Sequence, residues 1–430
     1  MLEFWDCVDQ MSGSPRATFA LLPDRIFVGN RRWVAGRALV VRDGRILSIV
    51  EPKRVAAKIN ILELPGVALL PGFVNAHTHL EYTDPGFIKP RKPHFVDWLD
   101  AISAWKQSRG EDAVATSHAR GVRECLAHGT IAIGDHYHGA SIPWPILSSP
   151  LKGVVFHELI SLADRAVGIK LAVMKRLSRR FPEERMRFGI APHAPYSVNK
   201  RLLSKLMAWA GKKSIPVSMH VAESEDEDAL SRLGECDLGR WIQKKSGEYP
   251  PVAGQDLFGY LQGCRVFSKK MLAVHMNLAR GMDLKHLPPS RVRPVTCPRS
   301  HEYFGHAPFA LEMFLNNGYC VAMGTDSLAS NDSLDMFAEL RAAKKIHPRV
   351  PLERLWDMAT VNGAQALGLS RCGMINTGNA ADFCAIPASR TRHALEQALD
   401  HRGEVTFSMI QGKVAWPPGA SLDISLEFAS

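Results

Sequence analysis

Two histidines, His77 and His79, close an apolar run at residues 67–76. On a strand, residues i and i+2 point to the same side, so this pair can grip one metal ion from one face. A lone His-x-His is a weak signal, but three later apolar runs end in a possible ligand in the same way: 215–220 in His220, 271–275 in His275 and 318–326 in Asp326. Imidazole and carboxylate donors suit zinc or ferrous iron, and a barrel of parallel strands brings its carboxyl ends to one mouth. The pattern reads as a chain built around a metal.

The elements that would position these groups are visible as well. Residues 129–135, 153–157, 188–193 and 292–297 are further strand-like runs, and polar stretches long enough for helices lie between most of them. Eight such strands predict an α/β fold, a (β/α)8 TIM-like barrel over roughly residues 71–370. Phe95, Trp98, Leu99, Ile102 and Trp105 share one helical face and are read as core or lid packing. Residues 37–50 form two strands around an Asp43-Gly44 turn, a strong hairpin signal, and residues 406–416 repeat the design. The two termini, 1–70 and 371–430, are therefore expected to meet in one small β-sandwich domain interrupted by the barrel. Glu3, Asp6 and Asp9 leave the first twenty residues without the basic start or unbroken apolar stretch of a signal peptide.

Composition bounds the reading without deciding it. At 430 residues and 46% hydrophobic content the chain suffices for a large barrel and a satellite domain, and no run approaches a membrane span. The 8 cysteines are scattered with no CxxC pair, so reduced thiols and a cytoplasmic location are expected. The net charge of +10 comes from dispersed basic residues with no nucleic-acid motif. It is read as a solubility and steering contribution that favours anionic substrates. The expected partner is a small-molecule substrate, with no nucleic acid and no membrane. A homodimer is common in such barrels.

Taken together, residues 71–79 (Pro-Gly-Phe-Val-Asn-Ala-His-Thr-His), His220-Val221-Ala222-Glu223, His275, Cys297-Pro298-Arg299-Ser300 and Gly324-Thr325-Asp326-Ser327 resemble the amidohydrolase superfamily, in its nucleobase- and nucleoside-deaminase and chlorohydrolase branch. The likeness runs through nearly the whole chain, including Ala380-Ala381-Asp382 near its end. It implies that His77, His79, His220 and Asp326 hold one divalent metal ion, zinc in the first instance with iron or manganese as alternatives, leaving a position for water. The lysine that bridges two metals in binuclear relatives is missing from the fourth strand, which ends in Pro192-His193-Ala194-Pro195-Tyr196-Ser197. Glu223 would protonate the ring nitrogen beside the attacked carbon, His275 would orient the water, and Asp326 would take its proton and pass it to departing ammonia.

The same resemblance suggests a substrate. His193 is read as a substrate contact, because related nucleoside deaminases carry a similar His-x-Pro-Tyr-Ser segment. His136, in the second pair His136-x-His138, is read as a wall of the pocket. Glu81 and the basic loop 89–93, with Arg91, are expected to overhang the mouth, the carboxylate suiting ribose hydroxyls and the loop an acidic arm. That combination favours an adenine nucleoside such as aminodeoxyfutalosine. His301 stands where relatives commonly have Asn, so pocket residues are not carried over from guanine, triazine or adenosylhomocysteine enzymes. The alternatives are a chlorohydrolase or cyclic amide hydrolase on the same scaffold and a non-catalytic structural barrel. A nucleic-acid deaminase is disfavoured, because its His-x-Glu and Pro-Cys-x-x-Cys signature is absent.

Overall fold

The computed structural model describes residues 18–29, 31–83, 93–139, 141–388 and 394–418. The chain opens with β1 (Thr18–Val28), β2 (Arg32–Ala35), β3 (Ala38–Arg42), β4 (Arg45–Val50) and β5 (Ile61–Pro71). Its middle supplies β6 (Phe73–Thr78), β7 (Thr130–Tyr137), β8 (Lys152–Leu159), β9 (Met186–Pro192), β10 (Ser218–Val221), β11 (Met271–His275), β12 (Val292–Thr296) and β13 (Ala322–Met323). It ends with β14 (Phe383–Pro387), β15 (Phe407–Ile410) and β16 (Lys413–Trp416).

The eight apolar runs of the middle segment are all strands, and they form two four-stranded parallel sheets, β6-β7-β8-β9 and β10-β11-β12-β13. Isolated parallel bridges, Ile190 to Val217 and Thr78 to Asp326, join the sheets at two seams. Helices lie between most of the strands, giving a TIM-barrel-like α/β fold. Every residue of β7 and β8 is buried. Parallel strands covered on both faces read as continuous rather than alternating apolar runs, which is why they were visible in the sequence.

The terminal strands make one mixed sheet in the order β16-β15-β14-β5-β1-β3-β4, with β2 paired to β1. Strands from both termini are joined through β5, which pairs in parallel with β1 on one side and antiparallel with β14 on the other, and they enclose a core of their own that includes Leu21, Leu39, Leu69, Phe383 and Met409. Both expected hairpins are present. Their central residues all have positive φ, Asp43 at 52° and Gly44 at 72°, Gln411 at 51° and Gly412 at 75°, as the tightest two-residue hairpin turns require. The two turns abut: a Cβ on Gly44 would lie 2.6 Å from the carbonyl oxygen of Gln411. Ala381 stitches them together, donating to Gly44 O (2.9 Å) and accepting from Gly412 N–H (3.1 Å).

A buried ion pair fastens this sheet to the other strands. Lys152, at the start of β8, meets Asp382, whose second oxygen accepts from the Gln411 N–H at 2.9 Å. Removing one partner leaves an uncompensated buried charge. No helix among the described residues is long and apolar enough to cross a membrane, and the seven described cysteines are all free.

Two predictions follow from this packing. Lys152→Met should lower stability by about 3–5 kcal/mol, read as a fall in denaturant midpoint; an unchanged midpoint would show that the pair does not hold the sheets together. His157 is buried between Phe188 and Phe181, at ring distances of 5.1 and 5.9 Å, and burial lowers its pKa to about 4. Between that value and about 6.5 the unfolded chain binds a proton that the folded chain does not, so stability falls as pH drops through this window, by roughly 3 kcal/mol for this group. His157→Phe should flatten that part of the melting-temperature profile, and equal slopes in both proteins would contradict the assignment.

Candidate metal centre and active site

Strand ends converge on a cluster of histidines. The rings of His77 and His79 are 4.9 Å apart, and that of His220 lies 5.1 Å from His77 and 5.5 Å from His79. Ligand nitrogens of His77, His79, His136 and His220 all fall within 4.8 Å of one another. Asp326 Oδ1 is 3.5 Å from His77 Nε2 and 3.8 Å from His79 Nε2.

Asp326 reaches this position through a knot between β6 and the segment after β13. His77 O accepts the N–H groups of Thr325 and Asp326, both at 3.1 Å. Asn75 accepts from Thr325 N–H (3.1 Å) and donates to Thr325 Oγ1 (2.7 Å). Gly324 permits the approach, since a Cβ there would sit 2.6 Å from His77 O. Ser300 and Ser330 donate to Asp326 Oδ2 at 2.8 and 2.6 Å, which leaves Oδ1 for the histidines. His220 Nδ1 lies 3.0 Å from His193 O; a carbonyl only accepts, so Nδ1 carries the hydrogen and Nε2 the lone pair. Asp326, His275 and Ala222 adopt φ of 57°, 73° and 52°, unusual for residues with a Cβ and concentrated at these strand ends.

The donor set fits a divalent cation. Both ring nitrogens of His77 and of His136, and Nδ1 of His79 and of His275, are buried without a hydrogen-bond partner. Buried polar atoms are nearly always paired, so such a concentration points to an ion that uses them. Burial holds the pKa of His79, His220 and His275 well below the usual imidazole range, and a neutral imidazole is the form able to ligate a metal. Burial by itself would raise Asp326, but the neighbouring His77, His275 and His79 outweigh it and keep the group ionised.

Glu223 is the opposite case. Burial first, then the charges of Asp326, Glu227 and Glu158, raise its pKa well above the carboxylate range, which favours the protonated form. Its Oε1 stands 3.6 Å from His275 Nε2. Asn277 Nδ2 donates to its carbonyl (2.9 Å), and its own N–H donates to Glu227 Oε2 (2.8 Å). Glu227 opens the helix Glu225–Leu233, where Ser224 Oγ accepts its N–H at 3.3 Å. The acidic run 225–228 looks in the sequence like a solvated stretch past the strand end. It does lie past the strand, yet Glu227 is fully buried, with its pKa raised to about 7 by that burial.

The remaining expected residues divide. His193 joins the cluster, its ring 5.0 Å from His220 and its Nδ1 2.8 Å from Ser197 Oγ. The second His-x-His pair splits, with His136 fully buried in the cluster and His138 partly exposed. Glu81 does not stand free at a mouth: it is buried in the turn Leu80–Tyr82, where its Oε1 accepts His138 N–H at 3.2 Å and lies 3.9 Å from Lys106 Nζ. Arg91 and most of its loop lie outside the described residues. The helix Phe95–Gln107 covers this region: Trp105 packs on Tyr82, which stacks on His79, and Trp98 Nε1 donates to Ala329 O at 3.0 Å. Sequence reasoning missed Glu158. Its oxygens lie 3.7 Å from His136 Nδ1, 3.6 Å from His138 Nδ1 and 3.9 Å from His220 Nδ1. Burial would raise its pKa, but His193, His136, His138 and His79 hold it well below the usual range. Strand parity could have found it, since Phe156 and Glu158 share the face turned to His136 while His157 packs outwards on Phe188.

A sequence profile of the Amidohydrolase family matches residues 68–415. The 5′-deoxyadenosine deaminase of Methanothermobacter thermautotrophicus is 27% identical, covering 82% of this chain and 81% of its own. The aminodeoxyfutalosine deaminase of Deinococcus radiodurans is 28% identical, over 74% and 77%. Among solved structures, Helicobacter pylori aminofutalosine deaminase in complex with methylthio-coformycin superposes with a TM-score of 0.81 at 24% identity, covering 92% of this chain and 99% of that one. An adenosine deaminase from Xanthomonas campestris with bound zinc gives 0.80 at 23%, covering 92% of each. At these identities the structural likeness establishes the fold.

The donor set is tested by metal analysis of the purified protein. His77→Ala should lose stoichiometric divalent metal, and Ser300→Ala combined with Ser330→Ala should weaken retention by roughly 10–100-fold, as removal of orienting groups does elsewhere. Full metal content in His77→Ala would rule out this centre.

Proposed function

The chain belongs to the amidohydrolase family and is a hydrolytic enzyme acting on C–N bonds, and from this premise we propose that it deaminates an adenine nucleoside with a single divalent metal ion, zinc in the first instance. The observation that carries the reading is the buried Glu223, its Oε1 3.6 Å from His275 Nε2, beside the cluster of histidines and Asp326. Held by His77, His79, His220 and Asp326, the ion would lower the pKa of a water molecule towards neutrality.

The protein groups divide the remaining work. Glu223 delivers its proton to the ring nitrogen next to the amine-bearing carbon as the ring loses conjugation. His275, beside Glu223, fixes the attacking water. Asp326 Oδ1 takes one of the water's protons and gives it to the amine, the C–N bond breaks and ammonia leaves, and the proton remaining on the added hydroxyl returns to Glu223 as the carbonyl forms. The serines on Oδ2 keep Asp326 aimed throughout. The opposed pKa displacements of two nearby carboxyl groups are what an acid and a base working together need.

Support for the nucleoside comes from the names of the relatives, several of which act on adenosine derivatives. An anionic arm, as in aminodeoxyfutalosine, fits the net charge of +10 and the basic residues of 89–93. We also read residues 71–370 as a closed (β/α)8 barrel, with 1–70 and 371–430 as its satellite, and the free thiols as suited to the cytoplasm.

Ammonia release should appear with adenine nucleosides, ahead of guanine, cytosine and triazines, using protein of known metal content. Glu223→Gln should keep its metal while kcat falls by roughly 10²–10⁴-fold. Full activity in that variant would sink the mechanism, and silence across the panel with metal bound would transfer the reading to amide or chloride hydrolysis.

A further inference from the structure

We propose that His136 is a fourth imidazole ligand of the metal centre, held in place by Glu158. The inference rests on the metal-centre reading above and adds a donor to it.

His136 sits near the end of β7 with its ring 4.4 Å from His77, 5.2 Å from His79 and 5.0 Å from His220. Like His77, and unlike a residue lining an open pocket, it has no exposed surface. Neither ring nitrogen has a hydrogen-bond partner. A fully buried imidazole in that condition is costly, and its position among three other histidines whose nitrogens lie within 4.8 Å gives it one obvious use.

Glu158 supplies the second half of the argument. Its Oε1 is buried and unpartnered, and faces His136 Nδ1 at 3.7 Å. A shift of a few tenths of an ångström converts this pair into an Nδ1–H···Oε1 hydrogen bond, which fixes the tautomer and presents the Nε2 lone pair to the cluster. Metal-bound histidines commonly have such a carboxylate behind them. Adding His136 to His77, His79, His220 and Asp326 gives five protein donors. Such a set suits ions that take five or six ligands, iron, manganese and cobalt, better than it suits tetrahedral zinc.

The test uses the full chain loaded with cobalt. X-ray absorption at the metal edge should count four imidazoles in the wild-type protein and three in His136→Phe. Cobalt affinity should fall by roughly 10–100-fold in His136→Phe and also in Glu158→Gln, which leaves the imidazole in place. Circular dichroism and melting temperature identify a variant that has merely misfolded, and Glu158→Gln then carries the measurement. Three imidazoles in the wild type, with spectrum and affinity unmoved in both variants, would overturn the proposal and leave the three-histidine centre standing. Failure of the wild type to bind any divalent metal would overturn both.

Discussion

The contact between β6 and the segment after β13 makes the fold and the site one object. The same carbonyl of His77 that accepts two N–H groups from Thr325 and Asp326 belongs to a proposed ligand, and the residue it captures is another. Any loosening of that seam would open the join between two sheets and move a carboxylate away from two imidazoles at once. Asn75 and Gly324 are therefore as much a part of the site as the groups that would touch a metal: one fills the seam with paired hydrogen bonds, and the other leaves room for it.

Desolvation provides the electrostatic division of labour. Burial by itself raises every carboxyl group and lowers every imidazole; what separates Asp326 and Glu158 from Glu223 is the company each keeps. Asp326 and Glu158 are surrounded by imidazoles, whereas Glu223 faces other carboxylates. Buried carboxyl groups of one site are thus displaced in opposite directions by their neighbours.

How much of this was legible in the sequence follows from the range of the interactions involved. His77, His79, His220, His275 and Asp326 announce themselves because each ends or follows an apolar run, which is a local pattern. Glu158 also lies at a strand end, but its significance depends on which face of β8 turns inwards and on histidines at the ends of four other strands. Ser300, Ser330 and Glu227 act through contacts set by the packing of separate elements and carry no local mark. The burial of Glu81 was not legible for the same reason: nothing in His-Leu-Glu-Tyr tells that the turn folds back beneath the helix Phe95–Gln107. The hairpins were legible from Asp43-Gly44 and Gln411-Gly412 as turns, while the choice of β5 as the strand shared by both ends was not.

That choice of β5 has a bearing on how the protein is made. Its two neighbours in the sheet come from opposite ends of the chain, β1 before it and β14 only after all the strands β6 to β13. During synthesis, Val67 to Leu70 therefore present an apolar, half-paired strand edge to their surroundings until β14 has emerged. A nascent chain in that state is a template for pairing with its neighbours on the same messenger. The pairing of Phe383–Pro387 with Val67–Pro71 closes that edge.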